Sequence, residues 1–341
     1  MEAHRPGFGR DGRMTGSGAP KPLRILMSDA AWAQNADGIA EAMGGRDFVQ
    51  AAPGQDADVA FVSRDVTGLS TKHRVLPATQ RFYDGLLNAP GLRWVHVHSA
   101  GADRPVFVAL RERGVALTPS SGANAAVVVQ TALAGMLALA RHFPRLMAAQ
   151  RQRTWTSLME SGMPRDLTGQ TAVIVGWGSI GQGLGALLRM LGLHIAVVRS
   201  SAAPVDAQTP TVAFEDIGQL LPRADWLLLA CPLTERTRGL ITVDALALMP
   251  PHAHLVNVAR GEIVDEPALT DALRNGHLAG AYLDVFAHEP LPADSVLWTL
   301  DNVIATPHSA GHSDGNEARV AALFLDNLRR WNDNNNDEGD T

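Results

Sequence analysis

The chain has 341 residues, which favours two domains because single domains usually hold roughly 100–200 residues. Apolar residues form 46% of the chain and charged residues 19%, as expected of a globular protein with apolar cores. The net charge of −6 argues against a nucleic-acid partner. A single cysteine, Cys231, excludes an intrachain disulfide framework and suits a reducing cytoplasmic location.

The two ends of the chain are predicted to lie outside the folded part. Residues 1–20 are rich in Gly, Arg and Pro and lack the apolar stretch of a secretory signal, so we expect a disordered lead-in or a true start at Met14. Residues 333–341 are almost all polar and are also expected to be disordered. No apolar run approaches the roughly 18 residues of a transmembrane helix, so no membrane partner is expected.

The first ordered part of the chain alternates short apolar runs with helix-like segments. Strands are predicted at residues 23–28, 58–63, 92–97 and 115–117, and helices at residues 72–87 and 104–113. This alternation predicts an α/β unit of about 100 residues, with a parallel sheet and helices on its faces.

A long helix is predicted at residues 123–142, after a turn-rich segment at residues 118–122. Apolar residues occupy nearly all faces of this helix, which indicates burial on several sides. A subunit interface and a position between two lobes explain this pattern equally well.

From residue 170 onwards a second series of strands and helices follows. Strands are predicted at residues 171–175, 194–198, 226–230, 254–258, 280–283 and 302–305, with a helix at residues 180–191. Strands that are apolar almost throughout are typical of a sheet that is covered on both faces. A final helix is predicted at residues 312–331 from the helical spacing of its apolar residues.

A glycine-rich loop, Gly176-Trp-Gly178-Ser-Ile-Gly181, joins the first strand of the second series directly to its helix. In such a loop the first Gly permits a tight turn, the second lets a pyrophosphate approach the backbone, and the third allows the helix to pack closely on the strand. The helix N-terminus adds N–H donors and a favourable dipole. We therefore predict dinucleotide binding here, with Ser179 and Ile180 also in contact, over an ordinary glycine-rich turn.

The next strand is followed by Arg199, Ser200 and Ser201. An acid at this point would bind the ribose 2′-hydroxyl of NAD, but no acid is present. Arginine binds phosphate through charge-assisted and often bidentate hydrogen bonds, so this segment suits the 2′-phosphate of NADP. Arg199 and Ser200 therefore favour NADP(H), and NAD(H) stays open if Arg199 only faces solvent.

Three residues with acid–base or anion-binding chemistry follow strands of the second series. Arg260 follows the strand at residues 254–258, Glu289 comes after residues 280–283, and His308 comes after residues 302–305. Each residue alone also has an ordinary explanation. Arg260 fits a surface ion pair, Glu289 a solvated acid, and His308 a residue of a turn. Because ligands bind at the carboxyl edge of a doubly wound sheet, the three side chains can converge there. No metal site is expected, since the histidine pairs at residues 96/98 and 252/254 lack a third ligand nearby.

Five segments together resemble the D-isomer-specific 2-hydroxyacid dehydrogenase family. They are residues 173–181 (VIVGWGSIG), 231–239 (CPLTERTRG), 256–261 (VNVARG), 281–292 (AYLDVFAHEPLP) and 306–311 (TPHSAG). The similarity extends over most of residues 90–330, in order and in spacing. One departure is Gln130, which stands where the family usually has Glu.

The resemblance implies a fold and a domain organisation. The fold would be α/β, with two Rossmann-like lobes built on parallel sheets, one flavodoxin-like and one dinucleotide-binding, and the active site in the cleft between them. The substrate-binding lobe would be discontinuous and consist of residues 21–118 and 309–332. Residues 119–308 would form the NAD(P)-binding lobe. Members of the family are usually homodimers, which favours the subunit-interface interpretation of the long helix.

The resemblance also implies roles for individual residues. Arg260 would bind the substrate carboxylate and polarise the keto oxygen, and His308 would protonate that oxygen. Glu289 would pair with His308 and favour its imidazolium form. The substrate carboxylate would also be held by the backbone N–H groups of a loop made of Ser99, Ala100 and Gly101. The cofactor groove would be lined by Cys231, Pro232, Thr237, Val258, Ala259, Asp284, His308, Ala310 and Gly311.

The implied reaction is hydride transfer between NADP(H) and a small 2-keto or 2-hydroxy acid, with glyoxylate or hydroxypyruvate reduction as the leading hypothesis. An alternative is an NAD-dependent enzyme for a bulkier acid. A hypothesis of another class is a dinucleotide-sensing corepressor or scaffold, because this fold also serves binding roles.

Overall fold

The computed structural model describes residues 21–337, and the first part of this range forms a parallel five-stranded sheet. Its strands are β1 (Leu23–Leu26), β2 (Phe48–Ala51), β3 (Val59–Val62), β4 (Trp94–Val97) and β5 (Ala116–Pro119). The order across the sheet is β2-β1-β3-β4-β5. The helices between the strands are α1 (Asp29–Met43), α2 (Arg64–Thr67), α3 (Pro77–Leu87) and α4 (Pro105–Glu112).

The second sheet has seven strands, all paired in parallel. They are β6 (Thr171–Val175), β7 (His194–Arg199), β8 (Thr211–Ala213), β9 (Trp226–Leu229), β10 (His254–Asn257), β11 (Gly280–Leu283) and β12 (Val303–Ala305). Their order is β12-β11-β10-β9-β6-β7-β8. The helices of this part are α5 (Ala125–Ala140), α6 (Phe143–Arg151), α7 (Leu158–Ser161), α8 (Ser179–Met190), α9 (Val243–Ala247) and α10 (Glu266–Arg274). The predicted α/β class with two parallel sheets is confirmed.

Both faces of the second sheet are covered, as its apolar strands predicted. Along β6, Ala172 and Ile174 belong to one apolar core, and Val173 and Val175 belong to the core on the opposite face. Because successive strand residues point to opposite faces, such a strand has to be apolar at every position.

Three elements of the first part of the chain were not predicted: α1, β2 and the four-residue helix α2. α1 begins where Ser28 caps it, its Oγ accepting the N–H of Ala31 at 3.1 Å, but Asn35 and other polar residues interrupt its apolar face. β2 is an edge strand on which Val49 is 44% exposed. A half-exposed edge strand and a short apolar stripe leave only a weak pattern in the sequence.

The last helix, α11 (Asn316–Asp337), returns to the first sheet. Phe324 stacks on Phe61 of β3 with ring centroids 4.5 Å apart. The helix continues beyond Trp331 into residues expected to be disordered, because Asn332 is buried and donates to the Met43 carbonyl at 3.1 Å. The disorder expected of residues 333–341 stays a prediction, although α11 extends to Asp337. Residues 1–20 and 338–341 lie outside the described residues.

The long helix α5 packs on the second sheet through Val128, Ala132 and Met136. Gly135 leaves room for the ring of Tyr282, with which an added Cβ would collide. Gln130 lies on the exposed side of the helix. Within residues 21–337 no single helix is long and apolar enough to cross a membrane, and only α5 and α6 taken together, bent by 71°, meet criteria of length and composition.

Candidate active site

His308 and Glu289 form a hydrogen-bonded pair at the carboxyl edge of the second sheet. β12 ends at Ala305, and the turn that follows carries His308, whose Nδ1 lies 2.8 Å from Glu289 Oε2. The Glu289 side chain is 11% exposed and the His308 side chain 46% exposed. Nε2 of His308 has no hydrogen-bond partner among residues 21–337 and can therefore exchange a proton with a ligand.

Asp284, directly after β11, holds the turn that carries His308. Its carbonyl accepts the His308 N–H at 2.8 Å. Its carboxylate accepts hydrogen bonds from Thr306 Oγ1 (2.7 Å), Ser309 N (2.9 Å) and Ala310 N (2.9 Å). His308 has a φ of 50°, a left-handed conformation that costs a residue other than Gly about 1 kcal/mol. The hydrogen bonds of Asp284 offset that cost. Asp284 therefore stabilises the turn, and this role is additional to the position near the cofactor that the resemblance implies.

The environment of Glu289 keeps its carboxylate charged. Burial raises the pKa of Glu289, but the hydrogen bond and charge of His308, the N–H of Phe286 and the charge of Arg260 outweigh that effect and leave the pKa below its ordinary value. The Phe286 N–H lies 3.2 Å from Oε1. A charged Glu289 stabilises a proton on the imidazole beside it.

Arg260 follows β10 and contacts the first lobe. Its backbone carbonyl accepts a hydrogen bond from Asn257 Nδ2 at 3.0 Å. Its guanidinium donates from Nη1 to the Ala259 carbonyl (2.7 Å), and from Nε and Nη2 to the carboxylate of Asp103 (3.3 and 3.2 Å). A guanidinium has five N–H groups, so one on each terminal nitrogen has no partner among the described residues. These two donors can bind a carboxylate in a bidentate manner.

The predicted carboxylate-binding loop after β4 lies against Arg260. An added Cβ at Gly101 would collide with the guanidinium, so a larger residue here would displace Arg260. Ser99 Oγ donates to the Gly101 carbonyl at 2.6 Å and closes the loop. Within the part of the chain that the structure describes, the N–H groups of Ala100 and Gly101 have no hydrogen-bond partner. The structure thus brings Ser99, Ala100 and Gly101 together with Arg260.

Sequence reasoning missed Asp103 and Lys72, which complete a charged network around Arg260. Lys72 forms an ion pair with Glu262 and lies 4.0 Å from Asp103. Burial raises the pKa of Asp103, but the charge and hydrogen bonds of Arg260 and the charge of Lys72 bring it below its ordinary value. The sequence signal that could have identified this network is proximity to predicted site residues. Asp103 comes two residues after Gly101, and Glu262 comes two residues after Arg260.

A second missed feature is the segment of residues 71–73, which connects the first lobe to the loop of Glu289. Thr71 Oγ1 donates to the Glu289 carbonyl at 2.8 Å, and the Glu289 N–H donates to His73 Nδ1 at 3.1 Å. The His73 ring stacks on His288 with centroids 4.6 Å apart. These contacts span more than 200 residues of sequence, and no local pattern indicates them.

The glycine loop fits a dinucleotide pyrophosphate. Gly176 has a φ of 99°, and an added Cβ at Gly181 would collide with the Gly176 carbonyl. At Gly178 an added Cβ would meet nothing within 4 Å, so the open space that a pyrophosphate requires lies above the backbone there. α8 begins at Ser179 without a side-chain cap. Because the first N–H groups of a helix have no partner within it, those of Ser179 and Ile180 remain for an anion.

The end of β7 carries the predicted determinant of cofactor choice. Arg199 is partly exposed, and its side chain makes no hydrogen bond or ion pair with residues 21–337. Arg236, which sequence reasoning did not identify, donates from Nη1 to the Ser200 carbonyl at 3.0 Å and pairs with Glu215. Two arginines therefore border the segment after β7.

In the loop after β9, only some of the residues predicted to line the cofactor groove are exposed. Pro232 is exposed. Cys231 is buried, which raises the pKa of its thiol to about 12, so it is no nucleophile at neutral pH. Thr237 is fully buried and donates from Oγ1 to the Pro232 carbonyl at 2.7 Å while accepting from the Thr234 N–H. Thr237 thus holds the loop, and its hydroxyl is not open to a ligand.

Four further predicted groove residues are small or nearly buried. Val258 and Ala259 follow β10 and are 9% and 6% exposed. Ala310 is 2% exposed, and its carbonyl accepts a hydrogen bond from Thr131 Oγ1 at 3.0 Å. An added Cβ at Gly311 would collide with a side chain at the start of α5. These positions can offer a ligand backbone atoms and a close approach.

The model of one protein family matches residues 133–310, and its description is D-isomer specific 2-hydroxyacid dehydrogenase, NAD binding domain. The matched segment contains the glycine loop, Arg260, Glu289 and His308. The chain belongs to the D-isomer-specific 2-hydroxyacid dehydrogenase family. It is an oxidoreductase that uses a nicotinamide dinucleotide on small 2-hydroxy or 2-keto acids, as members of this family do.

Individual relatives within the family have different names. The chain is 38% identical over 250 residues to a (S)-sulfolactate dehydrogenase of Chromohalobacter salexigens, covering 72% of this chain and 79% of that protein. It is 36% identical over 274 residues to a glyoxylate/hydroxypyruvate reductase B of Pectobacterium carotovorum, covering 79% and 85%. It spans about half the length of the D-3-phosphoglycerate dehydrogenases that it also matches.

Solved structures of the family share the whole fold. A D-isomer specific 2-hydroxyacid dehydrogenase of Xanthobacter autotrophicus, solved with NADPH and MES, is 28% identical and superposes with a TM-score of 0.68, covering 91% of this chain and 94% of that one. Among residues 21–337 no group of three His, Cys, Asp or Glu side chains could hold a metal ion.

Proposed function

We propose that the protein reduces a short 2-keto acid with NADP(H), and that Arg260, Glu289 and His308 are its catalytic residues. The observation that carries this proposal is the convergence of three groups in one cleft. Arg260 contacts Gly101 of the first lobe, the charge of Arg260 acts on Glu289, and Glu289 is hydrogen-bonded to His308. An anion-binding fork and a carboxylate-paired imidazole are the two groups that keto-acid reduction requires of a protein.

Each residue would have a separate task. The two N–H groups of Arg260 that have no partner among the described residues, together with the backbone of Ser99, Ala100 and Gly101, would hold the substrate carboxylate. His308 would give its Nε2 proton to the keto oxygen, and the charge of Glu289 would favour the protonated ring. In the reverse direction His308 would act as the base. The bound dinucleotide would supply the hydride to the keto carbon.

Each lobe would bind a different molecule. We assign substrate binding to residues 21–118 and 309–332, and cofactor binding to residues 119–308. α11 packs on the first sheet, and β12 belongs to the second, which supports a crossing of the chain near residue 309. The cofactor groove would be formed by the backbone of the residues that the resemblance predicts. Thr237 would contribute indirectly, because its hydrogen bonds stabilise the loop after β9.

The choice of NADP(H) over NAD(H) rests on the end of β7. Arg199 has no partner among the described residues, and no acid occupies the position that would bind a 2′-hydroxyl. A 2′-phosphate would satisfy Arg199 and add charge-assisted hydrogen bonds. An NAD-dependent enzyme for a bulkier acid is the alternative.

Glyoxylate and hydroxypyruvate are the leading substrates, because a relative that carries this name aligns over most of both chains. The experiment is a panel of 2-keto acids, from glyoxylate to branched and aromatic ones, assayed with NADPH and with NADH. Turnover of short acids with NADPH supports the proposal. Preference for NADH and bulky acids supports the alternative. Tight dinucleotide binding without any turnover would favour a corepressor or scaffold.

We also propose a cytoplasmic homodimer. Five large apolar side chains on and near α6 and α7 are exposed: Phe143 (49%), Met147 (47%), Trp155 (96%), Met159 (85%) and Met163 (70%). An exposed apolar patch of this extent is typical of an interaction surface, and a second copy is the simplest occupant. Analytical ultracentrifugation tests this proposal. The wild type should sediment as a dimer, and Trp155→Ser should dimerise with lower affinity.

A further inference from the structure

Residues 71–73 of the first lobe, the bridging segment, contact two loops of the second lobe. The first and third residues of the segment contact the loop after β11 that carries Glu289. The middle residue, Lys72, forms an ion pair with Glu262 in the loop after β10. Arg260 precedes Glu262 by two residues in that loop. The bridging segment therefore contacts both the loop of Arg260 and the loop of Glu289.

Both main-chain hydrogen-bonding groups of Glu289 have their partners in the bridging segment. Thr71 Oγ1 donates to the Glu289 carbonyl at 2.8 Å, and the Glu289 N–H donates to His73 Nδ1 at 3.1 Å. Neither main-chain group has another hydrogen-bond partner among the described residues. The carboxylate of Glu289, by contrast, binds within its own lobe to His308 and to the Phe286 N–H. The first lobe thus fixes the backbone of a residue whose side chain acts in the second lobe.

The hydroxyl of Thr71 uses all of its hydrogen-bonding capacity in this arrangement. Its hydrogen is donated to the Glu289 carbonyl, and its oxygen accepts the N–H groups of His73 (3.2 Å) and Arg74 (3.0 Å). A hydroxyl has one hydrogen and two lone pairs, so no capacity remains. A single oxygen atom therefore joins the turn of the bridging segment to the backbone of Glu289.

His73 combines a hydrogen bond with ring stacking. A backbone N–H can only donate, so Nδ1 of His73 carries no proton and accepts from Glu289. The ring of His73 stacks on that of His288, with centroids 4.6 Å apart and planes inclined by 9°. Because His288 directly precedes Glu289, the stack restrains the same stretch of backbone as the hydrogen bond.

The bridging segment is held firmly on its own lobe. Ser70, which precedes it, accepts the N–H of Leu76 at 3.1 Å through Oγ, and that oxygen lies 2.7 Å from Thr79 Oγ1 of α3. The Ser70 carbonyl accepts a hydrogen bond from Arg104 Nη2 at 2.8 Å. Since the segment is anchored in this way, a movement of the first lobe also moves the groups that hold the backbone of Glu289.

We propose that Thr71 and His73 are positioning residues for proton transfer. They fix the backbone of Glu289 from the opposite lobe and so align its carboxylate with the imidazole of His308. Opening of the cleft separates Thr71 and His73 from Glu289, so the proton donor is fully assembled only when the lobes are closed. This inference rests on the proposed function, because His308 must be the donor.

A displaced Glu289 changes the pH dependence of the reaction. Among the described residues, Glu289 provides the carboxylate that is hydrogen-bonded to the ring of His308. The other charged or titratable groups around this pair are Arg260, Glu266, Asp284, His288 and His312. A carboxylate that is held less firmly stabilises the imidazolium form less, so keto-acid reduction should decline at a lower pH on the alkaline side.

Two substitutions of His73 separate the hydrogen bond from the stack. His73→Asn keeps an acceptor near the position of Nδ1 but removes the ring, whereas His73→Phe keeps a ring but removes the acceptor. We expect His73→Phe to lower kcat for keto-acid reduction by about 10-fold and His73→Asn to recover most of this loss. The alkaline limb of the kcat profile should move to lower pH by roughly 0.5–1 unit in His73→Phe. KM for the dinucleotide should stay unchanged.

Thr71 and a distant histidine provide matched comparisons. Thr71→Val removes the hydroxyl at similar size and should behave like His73→Phe. Thr71→Ser keeps the hydroxyl and should behave like the wild type. His194→Phe, at an exposed position of the second lobe, should leave kcat and the pH profile unchanged.

The outcomes distinguish this inference from the proposed function. Equal kcat values and pH profiles for the wild type, His73→Phe and Thr71→Val overturn the positioning role and leave the proposed function intact. Equal losses in His73→Phe and His73→Asn with an unshifted alkaline limb also overturn it, because the stack alone would then matter. If the wild type reduces no keto acid, the proposed function fails, and the inference fails with it. If His73→Phe does not fold, the two Thr71 variants decide.

Discussion

Asp103 of the first sheet's lobe and Arg260 of the second form a side-on ion pair across the cleft, with Oδ1 3.2 Å from Nη2 and Oδ2 3.3 Å from Nε. The pair uses one edge of the guanidinium and leaves an N–H on each terminal nitrogen without a partner among the described residues. Asp103 therefore orients Arg260 without saturating it.

Replacing Asp103 tests this orienting role. Asp103→Asn should raise KM for the keto acid and lower kcat/KM by about 10-fold or more, because an uncharged partner restrains the guanidinium less strongly. KM for the dinucleotide should stay unchanged. Asp84→Asn, an exposed change on α3, is the control. Equal effects on keto-acid and dinucleotide KM would indicate a general structural role instead.

His308 is best replaced by Asn, because Asn tolerates the left-handed backbone at this position. His308→Asn should lower kcat by on the order of 10²–10⁴, the range for a lost general acid. Dinucleotide binding, followed by fluorescence titration, should be retained. Near-normal turnover would exclude His308 as the proton donor.

Arg199 can be tested through cofactor choice. Arg199→Ala should raise KM for NADPH by about 10- to 100-fold and change KM for NADH little, because only NADPH carries the 2′-phosphate. Steady-state kinetics with both dinucleotides measures the difference. The matched control is Arg223→Ala, an exposed arginine of the same lobe. Equal changes in the two KM values would remove the proposed phosphate contact.

Buried histidines make the fold sensitive to acid. Burial lowers the pKa of His96 from 6.5 to about 4, and His96 is 0% exposed. Between these two pH values the unfolded chain binds a proton that the folded chain does not, so the stability is complete above pH 6.5 and is lost as the pH falls towards 4. The loss for this residue is on the order of 3 kcal/mol.

Urea unfolding of the wild type at pH 7.5 and pH 5 measures this loss. His96→Gln should unfold with a smaller difference between the two pH values, whatever its stability at pH 7.5. His194→Gln, at an exposed position, should behave like the wild type. An unchanged difference in His96→Gln would show that other groups cause the acid sensitivity.

The strongest sequence patterns were local ones. Six of the seven strands of the second sheet and the glycine loop before α8 were predicted with nearly the observed bounds, because burial on both faces and a tight turn each require particular residues at consecutive positions. The short edge strand β8, which is only partly buried, was missed. α1 and the edge strand β2 were missed, since polar interruptions and half exposure weaken the periodic signal.

The sequence by itself determined the class of fold, the family and the types of group that its chemistry uses. Tertiary structure alone decided how these groups are held: Asp103 against Arg260, and His73 against Glu289. It also showed that Thr237 is buried and that α11 continues to Asp337. The physical reason is that a pattern reports the neighbours along one strand or helix, whereas an ion pair across a cleft depends on distances that arise only when separate parts of the chain pack together.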